Sequence, residues 1–219
     1  MIKENVKKVR QRVQEACARI KIDSAKITIL CVAKGRSVQE IAEVVSLGIN
    51  NIGENRVQEA VEKYKLVPGA HWQMVGHLQS NKIKDALEIF ELIHSVDTVN
   101  LAREINKQAL KINKIQDILL EVKTSPEVRK FGFKPEALDE VCGEILKFEN
   151  VKIKGLMTIA PWVDEANEAR PYFSKLRQLR DRLNPEWLLS MGMSGDFEAA
   201  IEEGADIIRL GRIIFETNV

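Results

Sequence analysis

The sequence predicts an α/β protein built as a (β/α)8 TIM barrel, with an extra helix before the first strand. Strand then helix, about eight times in roughly 200 residues, is the signature of this barrel. The chain has 219 residues, and most of its apolar runs are separated by a segment of helical period. The runs, in chain order, are ITILCVA, NNIG, HWQMVG, ELIHSV, KIQDILLEV, VKIKGLMTIA, WLLSMG and ADIIRLG.

A doubly wound open sheet is the alternative fold. It usually has fewer strands and often carries a GxGxxG turn after the first one, and the sequence has no such turn. No linker rich in proline, glycine or serine breaks the series. We therefore expect one domain over residues 1–219.

The ends of the chain complete this prediction. Val6, Val9 and Val13 recur every three or four residues, which predicts an amphipathic opening helix. Ser37 with Glu40 predicts a capping box for the helix after the first strand. Only RIIFETNV follows the eighth run, so we expect the opening helix to pack beside the last strand and cover that gap.

Composition and charge favour a small ligand. The 33 basic and 32 acidic residues nearly cancel, so no basic field indicates nucleic acid or a membrane. The charged N-terminus is neither a signal peptide nor a transmembrane segment. Three cysteines without a CxxC pair favour reduced thiols in a cytoplasmic protein, and three histidines without ligand-like spacing argue against a metal site.

Two glycine-containing loops near the C-terminus predict an anion site. MGMSGD (191–196) follows the seventh predicted strand, and RLGR (209–212) ends the eighth. In barrels of this class, phosphate often binds in the loops after strands seven and eight. Plain turn chemistry would explain one such loop, whereas two at the expected strand ends favour phosphate.

Each of these loops offers groups that suit an anion. Gly192, Gly195 and Gly211 let the backbone approach a ligand closely, and Ser194 offers a hydroxyl. A short helix beginning near Asp196 points its N-terminal N–H groups at the same place.

Lys34 is the candidate nucleophile. By the period of two it shares a face of the first strand with Leu30 and Val32, and it ends that strand. A solvated strand-end lysine is the common case, but at the catalytic end of a barrel desolvation and nearby cations favour the uncharged amine, which attacks aldehydes. Strand eight neighbours strand one, so Arg209 should lie close. A phosphate site, this lysine and an arginine together indicate pyridoxal 5′-phosphate, although a Schiff-base aldolase stays open.

A set of motifs resembles one family. CVAKGRS, NIGENRVQE, HWQMVGHLQSNK, KFGF, GLMTIA, LSMGMSGDFEAAIEEGADIIRLG and IIF occur in its typical order, from about residue 27 to 215. The chain resembles the pyridoxal phosphate homeostasis proteins, single-domain relatives of the alanine racemase barrel.

The resemblance implies a fold-type III barrel that holds pyridoxal phosphate as an internal aldimine on Lys34. It implies that Ser194, Gly211 and the next backbone N–H bind the phosphate, with Gly195 in the same loop, and that Arg209 faces the pyridine nitrogen. The remaining residues that it places around the cofactor are Asn55, His77, Met157 and Thr158.

One position departs from the family. The residue after Gly211 is often threonine, and here it is Arg212. The backbone N–H survives this change, and the guanidinium either replaces the hydroxyl as a charge-assisted donor or points to solvent.

Other conspicuous residues have simpler explanations. We expect His94 to be a hydrogen-bonded core histidine, and Trp72, Trp162 and Trp187 to serve packing. Asp196, after a glycine, is expected to be a helix N-cap rather than a catalytic acid.

Two function classes follow from the resemblance. A racemase needs a second base opposite the lysine, and the only tyrosines, Tyr64 and Tyr172, fall in predicted helices. An arginine at the pyridine nitrogen also weakens the ring as an electron sink. We therefore expect a monomeric, cytoplasmic, non-catalytic carrier of the cofactor, with an amino-acid racemase or related enzyme as the alternative. We expect its protein partners to be pyridoxal phosphate-dependent apoenzymes or a regulatory protein. A third class, a phosphosugar aldolase, would show no bound chromophore.

Overall fold

Eight parallel strands close into a barrel in which each strand pairs with the next along the chain and β8 pairs with β1. The computed structural model describes residues 1–125 and 131–216. Every predicted strand is confirmed and lies inside its apolar run, except that the second strand extends one residue beyond NNIG, to Glu54. The strands are β1 (Thr28–Val32), β2 (Asn51–Glu54), β3 (His71–Met74), β4 (Leu92–Val96), β5 (Gln116–Glu121), β6 (Val151–Met157), β7 (Leu188–Ser190) and β8 (Ile207–Leu210).

Helices connect the strands on the outside of the barrel. The predicted capping box is present, because the Ser37 hydroxyl accepts from the Glu40 N–H while the Glu40 carboxylate accepts from the Ser37 N–H. In the described ranges the α-helices are α1 (Ile2–Arg19), α2 (Val38–Ser46), α3 (Val57–Lys63), α4 (Ile83–Ile89), α5 (Val99–Lys111), α6 (Leu138–Ile145), α7 (Arg170–Leu183), α8 (Phe197–Glu202) and α9 (Arg212–Phe215). None of them combines the length and apolar character needed to span a membrane.

The opening helix α1 covers the place where a full-length eighth helix would lie. Helix α9 has only four residues, as the short C-terminal segment predicted. Helix α1 packs against α2, α8 and α9. Its Asn5 side chain donates to the carbonyl oxygens of Ile214 and Glu216 at 3.0 and 3.1 Å, so α1 is joined directly to the chain that follows β8.

The interior of the barrel changes from apolar to polar toward the carboxyl ends of its strands. A small apolar cluster, which includes Leu92 and Ile207, fills the interior. Two residues further along the same strands stand His94 and Arg209, both buried. Because side chains two apart share one face of a strand, these polar groups point into the barrel just above the apolar layer.

Candidate functional site

A cavity of about 410 Å³ lies at the mouth of the barrel, at the carboxyl ends of the strands. Segments that follow β1, β2, β3, β6, β7 and β8 contribute to it. The lining residues, which define the mouth cavity, are Val32, Lys34, Asn55, Val75, Ile159, Pro161, Trp162, Val163, Met193, Ser194, Gly195, Asp196, Arg209, Gly211 and Arg212. The structure thus brings together the predicted lysine, the predicted arginine and both glycine-containing loops.

Lys34 lies in the turn directly after β1. Lys34 lines the mouth cavity and also a neighbouring cleft of about 370 Å³. The strand register pairs Leu30 with Arg209, which confirms that β8 lies beside the strand that leads to Lys34. The expectation of a desolvated lysine is wrong for the protein alone, because Lys34 is exposed. The turn after β1 lifts the residue beyond the buried part of the strand.

The two loops after β7 and β8 meet at Ser194. Its side chain is buried, and its hydroxyl oxygen accepts from the Ile213 N–H at 3.4 Å, in the first turn of α9. Gly195 is exposed, and a Cβ placed there would have no atom within 4 Å. This part of the mouth cavity therefore offers a hydroxyl and an open stretch of backbone side by side.

Gly192 and Gly211 are needed for close packing inside the protein. Gly192 has φ +90°, and a Cβ there would lie 2.5 Å from the Cβ of Ala200 in α8. A Cβ on Gly211 would lie 3.3 Å from the carbonyl oxygen of Val32. Gly192 is thus required by the turn and by the close approach of α8, which the anion interpretation of this residue did not foresee, and Gly211 keeps β8 close to β1.

Asp196 occupies the N-cap position of α8, but its side chain makes no capping hydrogen bond there. The carboxylate instead accepts from the Met193 N–H at 2.6 Å, inside the loop. The expected N-cap is therefore correct in position only. Burial raises the pKa of Asp196, with the hydrogen bond from Met193 and the charge of Arg209 acting in the opposite direction.

Arg209 is buried and held by a chain of hydrogen bonds across the barrel. One terminal nitrogen donates to the Ser190 hydroxyl at 2.8 Å and the other to the Thr158 carbonyl oxygen at 2.7 Å. The Ser190 hydroxyl lies 2.9 Å from His94 Nδ1, and His94 Nε2 lies 2.7 Å from Gln73 Oε1. Because the amide oxygen of Gln73 only accepts, Nε2 is the protonated nitrogen of a neutral His94, and the Ser190 hydroxyl therefore donates its proton to Nδ1.

Electrostatics agree with this assignment. Burial, followed by the charge of Arg209, lowers the pKa of His94 to about 3. Burial also lowers the pKa of Arg209 to about 10, although Asp196 and Glu121 act in the opposite direction. At neutral pH the site therefore holds a charged guanidinium beside a neutral imidazole. His94 is the satisfied core histidine that was expected, and its link to Arg209 through Ser190 is the part that the sequence did not reveal.

Glu121 is a further buried acid near Arg209 that the sequence analysis missed. It ends β5 and is only 7 % exposed. Burial and then the charge of Asp97 raise its pKa to about 7, while Arg209 and Lys123 partly oppose this. A charged residue inside the apolar run ILLEV was the signal that could have identified it.

The remaining predicted residues take different positions. Asn55 lines the mouth cavity, and its Oδ1 is buried without a hydrogen-bond partner in the described part of the chain. Met157 does not line the mouth cavity but belongs to the apolar cluster that fills the barrel interior. Thr158 is fully buried, and its hydroxyl donates to the Val122 carbonyl oxygen at 2.8 Å. Thr158 therefore supports Arg209 through its backbone, rather than lining the mouth cavity.

His77 and two other predicted residues lie nearer the rim. His77 is part of the neighbouring cleft, where Nδ1 lies 3.0 Å from Asp97 Oδ2 and the ring stacks on Phe131 at 4.0 Å between centroids. Arg212 lines the mouth cavity but is exposed. Trp162 is 83 % exposed at the same rim, so the expectation that it packs inside the protein is wrong.

The chemistry of these groups fits a small anionic aldehyde. Lys34 supplies an amine, Ser194 and Gly195 supply a hydroxyl and open backbone, and Arg209 supplies a fixed guanidinium. The unpartnered Oδ1 of Asn55 leaves one acceptor that a bound molecule with a donor would satisfy.

Comparison with known proteins shows the family to which the chain belongs. The family model described as alanine racemase, N-terminal domain, matches residues 1–219. A pyridoxal phosphate homeostasis protein of Aquifex aeolicus is 43% identical, with 97% of this chain and 96% of the relative covered. The protein of that name from Escherichia coli is 33% identical, with 98% and 95% covered.

Solved structures show the same relationship. PipY of Synechococcus elongatus, with PLP bound, has a TM-score of 0.84 and 32% identity, and the match covers 98% of this chain and 100% of PipY. An alanine racemase of Clostridium difficile has a TM-score of 0.76 at 16% identity, with 98% and 55% covered, which shows the shared barrel fold alone. The chain belongs to the alanine racemase N-terminal domain family and, within it, to the pyridoxal phosphate homeostasis proteins.

Proposed function

We propose that this protein binds pyridoxal 5′-phosphate and takes part in its intracellular homeostasis, as a carrier without strong catalytic activity. The observation that carries the proposal is the mouth cavity, which joins Lys34 to the loops after β7 and β8. The names of the relatives and the bound PLP in PipY support it.

In this proposal Lys34 binds the cofactor covalently. Its Nζ forms a C=N bond to the aldehyde carbon, and the aldehyde oxygen leaves as water. When bound, the cofactor supplies an electrophilic aldehyde and a conjugated ring. The exposure of Lys34 leaves the bond open to water, so that formation and hydrolysis are both accessible, which suits a protein that takes up and releases its ligand.

The phosphate is proposed to lie at the loops after β7 and β8. Ser194 supplies the hydroxyl, and the backbone of Gly195, Gly211 and Arg212 supplies N–H donors to the anion. The position of Arg212 at the cavity also allows its side chain to donate to the phosphate. Each donor to a charged group contributes about 1.5–3 kcal/mol.

Arg209 and Asn55 are proposed to hold the ring. The guanidinium of Arg209 faces the pyridine nitrogen, and because both terminal nitrogens donate to fixed acceptors, its orientation is set before the ring arrives. Asn55 offers its unpartnered oxygen. His77 contributes from the neighbouring cleft, whereas Met157 and Thr158 support the cavity from below.

A carrier agrees better with this arrangement than a racemase does. Tyr64 begins the 3₁₀ helix Tyr64–Leu66, and Tyr172 lies in α7. Neither is among the residues that line the mouth cavity, so neither supplies a second base opposite Lys34. A guanidinium at the ring nitrogen would also leave that nitrogen unprotonated and the ring a weaker electron sink.

We further propose that residues 1–219 form a single domain that acts as a monomer in the cytoplasm. A racemase completes its site across a dimer, whereas every group invoked here belongs to one barrel. Partners of this carrier would be the apoenzymes that receive the cofactor, or a protein that regulates its release.

Borohydride reduction tests the covalent step. The protein loaded with pyridoxal phosphate is reduced, digested and mapped by mass spectrometry, and we expect the pyridoxyl group on Lys34. The Lys34→Ala variant is the control and should carry none at this peptide. Modification of another lysine alone would contradict the assignment, and turnover of an amino acid by the loaded protein would favour the racemase alternative.

A further inference from the structure

Three charged side chains beneath the turn of Lys34 have no part in the proposed function so far. Glu54 ends β2, and Glu59 and Lys63 lie one turn apart on α3. The side chain of Glu54 is 0% exposed, that of Lys63 is 11% exposed, and Lys63 Nζ lies 2.8 Å from Glu54 Oε1. Burying an ion pair costs desolvation energy, which the attraction between the charges repays only where the geometry is good and further hydrogen bonds satisfy both groups.

The contacts of these side chains end on the backbone that flanks Lys34. Lys63 Nζ donates to the Ala33 carbonyl oxygen at 3.4 Å. The Gly35 N–H donates to Glu59 Oε2 at 2.9 Å. The residues immediately before and after Lys34 are therefore both held, while the lysine itself remains exposed.

The three side chains are also joined to one another and to Asn55. Lys63 Nζ lies 3.4 Å from Glu59 Oε2, an i,i+4 pair with the acid on the N-terminal side, which is the favourable order in a helix. The second oxygen of Glu54 accepts from the Asn55 N–H at 3.1 Å. One connected group thus holds the backbone at Lys34 and at the neighbouring residue of the mouth cavity.

Electrostatics favour a charged acceptor at Gly35. The hydrogen bond from the Gly35 N–H, followed in the same direction by Lys63, lowers the pKa of Glu59 although partial burial opposes this. Gly35 has φ +68°, a left-handed conformation that glycine adopts without strain. The turn is thus defined by a permissive residue and fixed by a charged hydrogen bond.

We propose that Glu54, Lys63 and Glu59, together called the loop clamp, are positioning residues that set the amine of Lys34 at the height and angle needed to react with the cofactor aldehyde. This inference rests on the proposed function, because it assumes that Lys34 is the lysine that reacts. The clamp acts on the covalent bond and not on the phosphate, since its contacts reach the turn after β1 and the Asn55 backbone but not the loops after β7 and β8.

Two ligands distinguish the contribution of the covalent bond to affinity from the contribution of the ring and phosphate contacts. Pyridoxal 5′-phosphate carries the aldehyde, and pyridoxine 5′-phosphate has the same ring and phosphate with an alcohol in its place, so it cannot bond to Lys34. Their dissociation constants are compared in the parent and in Glu59→Ala, which removes the acceptor of Gly35 but leaves Lys63 paired with Glu54. The control is Glu62→Ala, an exposed acid on the same helix.

We expect Glu59→Ala to weaken pyridoxal phosphate binding about tenfold, because without this hydrogen bond to a charged group a smaller fraction of the protein holds the turn in the conformation that presents the amine. Pyridoxine phosphate binding should change about twofold or less, as for a site that is not coupled to the substitution. Glu59→Gln, whose amide oxygen can still accept from Gly35, should restore most of the affinity. An equal loss of affinity for both ligands would show that Glu59 serves only the general stability of the site and would overturn the positioning role. No loss for either ligand would overturn it as well.

A measurement without cofactor keeps the inference separate from the proposed function. Hydrogen exchange of the Gly35 amide in the ligand-free protein should be about tenfold faster in Glu59→Ala than in the parent or Glu62→Ala. Unchanged exchange would overturn the clamp, whichever lysine holds the cofactor. If borohydride maps the pyridoxyl group to another lysine, the assignment of Lys34 fails and the positioning role of the clamp fails with it, whereas labelling of Lys34 together with unchanged Gly35 exchange overturns the clamp alone.

Discussion

Replacing Glu121 with glutamine should change how the stability of the ligand-free protein depends on pH. Glu121 ends β5 inside the barrel, 7 % exposed, with Asp97 nearby adding negative charge. The backbone of Gly132 lies against it, since a Cβ placed there would be 3.3 Å from Glu121 Cγ. Glutamine keeps the shape of the side chain and removes its titration.

The sign follows from the raised pKa. The pKa of Glu121 rises from 4.5 to about 7 on folding, so between these values the folded state binds more protons than the unfolded state. The contribution of this group to stability is therefore fully present below pH 4.5 and is lost as the pH rises through 7. A shift of this size corresponds to about 3 kcal/mol in total, of which about 2.5 kcal/mol falls between pH 5 and pH 8.

Denaturant unfolding of the parent and Glu121→Gln at several pH values measures this effect. The difference in unfolding free energy should move in favour of the variant by about 2.5 kcal/mol from pH 5 to pH 8, with an unchanged m-value. Glu62→Gln removes an exposed acid and serves as the control for a change of net charge. A difference that stays constant over this range would show that Glu121 does not carry a raised pKa and would refute the reasoning.

Two further outcomes test the cofactor site. Ser194→Ala should release pyridoxal phosphate about tenfold to a hundredfold faster on dialysis, because one donor to a charged group is lost, and retention equal to the parent would move the phosphate away from this loop. Sedimentation of the loaded protein at working concentration should give a monomer or at most a weak dimer, and a tight dimer with cavity residues in its interface would favour the racemase alternative.

The strands were predictable because a parallel barrel imposes a local pattern. Each strand is a short apolar run, and the strands close in chain order, so the sequence alone predicts that β1 and β8 are neighbours. This is why Arg209 was expected beside the strand of Lys34. The two loops after β7 and β8 were predictable for the same reason, since every barrel of this class places those ends at one mouth.

The positions of single side chains were less predictable. Lys34 follows β1 by two residues, and the turn that begins there exposes it, which the period of two along a strand cannot indicate. Met157 and Thr158 are adjacent in the sequence, yet one faces the apolar interior while the other supports Arg209 through its carbonyl oxygen. Such differences depend on where the strand ends, to within one residue.

The loop clamp shows a second limit. Glu54, Glu59 and Lys63 resemble the charged residues of any solvated helix and strand end, and only the folded barrel brings them beneath the turn of Lys34. A buried acid is recognisable in sequence when it interrupts an apolar run, as Glu121 does, but not when it ends one. Long-range pairing of charges therefore has to be read from the structure.

The mouth cavity has a rigid floor, formed by Arg209 and its hydrogen-bond partners, and an exposed rim, formed by Lys34 and Trp162. This difference bears on the choice between a carrier and a catalyst. At the floor, Arg209 is oriented by Ser190 and by the Thr158 carbonyl oxygen. At the rim, Lys34 is exposed and Trp162 is 83 % exposed, so water reaches the place where the covalent bond would form. Enzymes that stabilise reactive intermediates close their sites against water, because charge interactions are stronger and side reactions slower in a dry site. An oriented floor recognises the ligand, whereas an open rim favours reversible hydrolysis, and this combination suits uptake and release better than turnover.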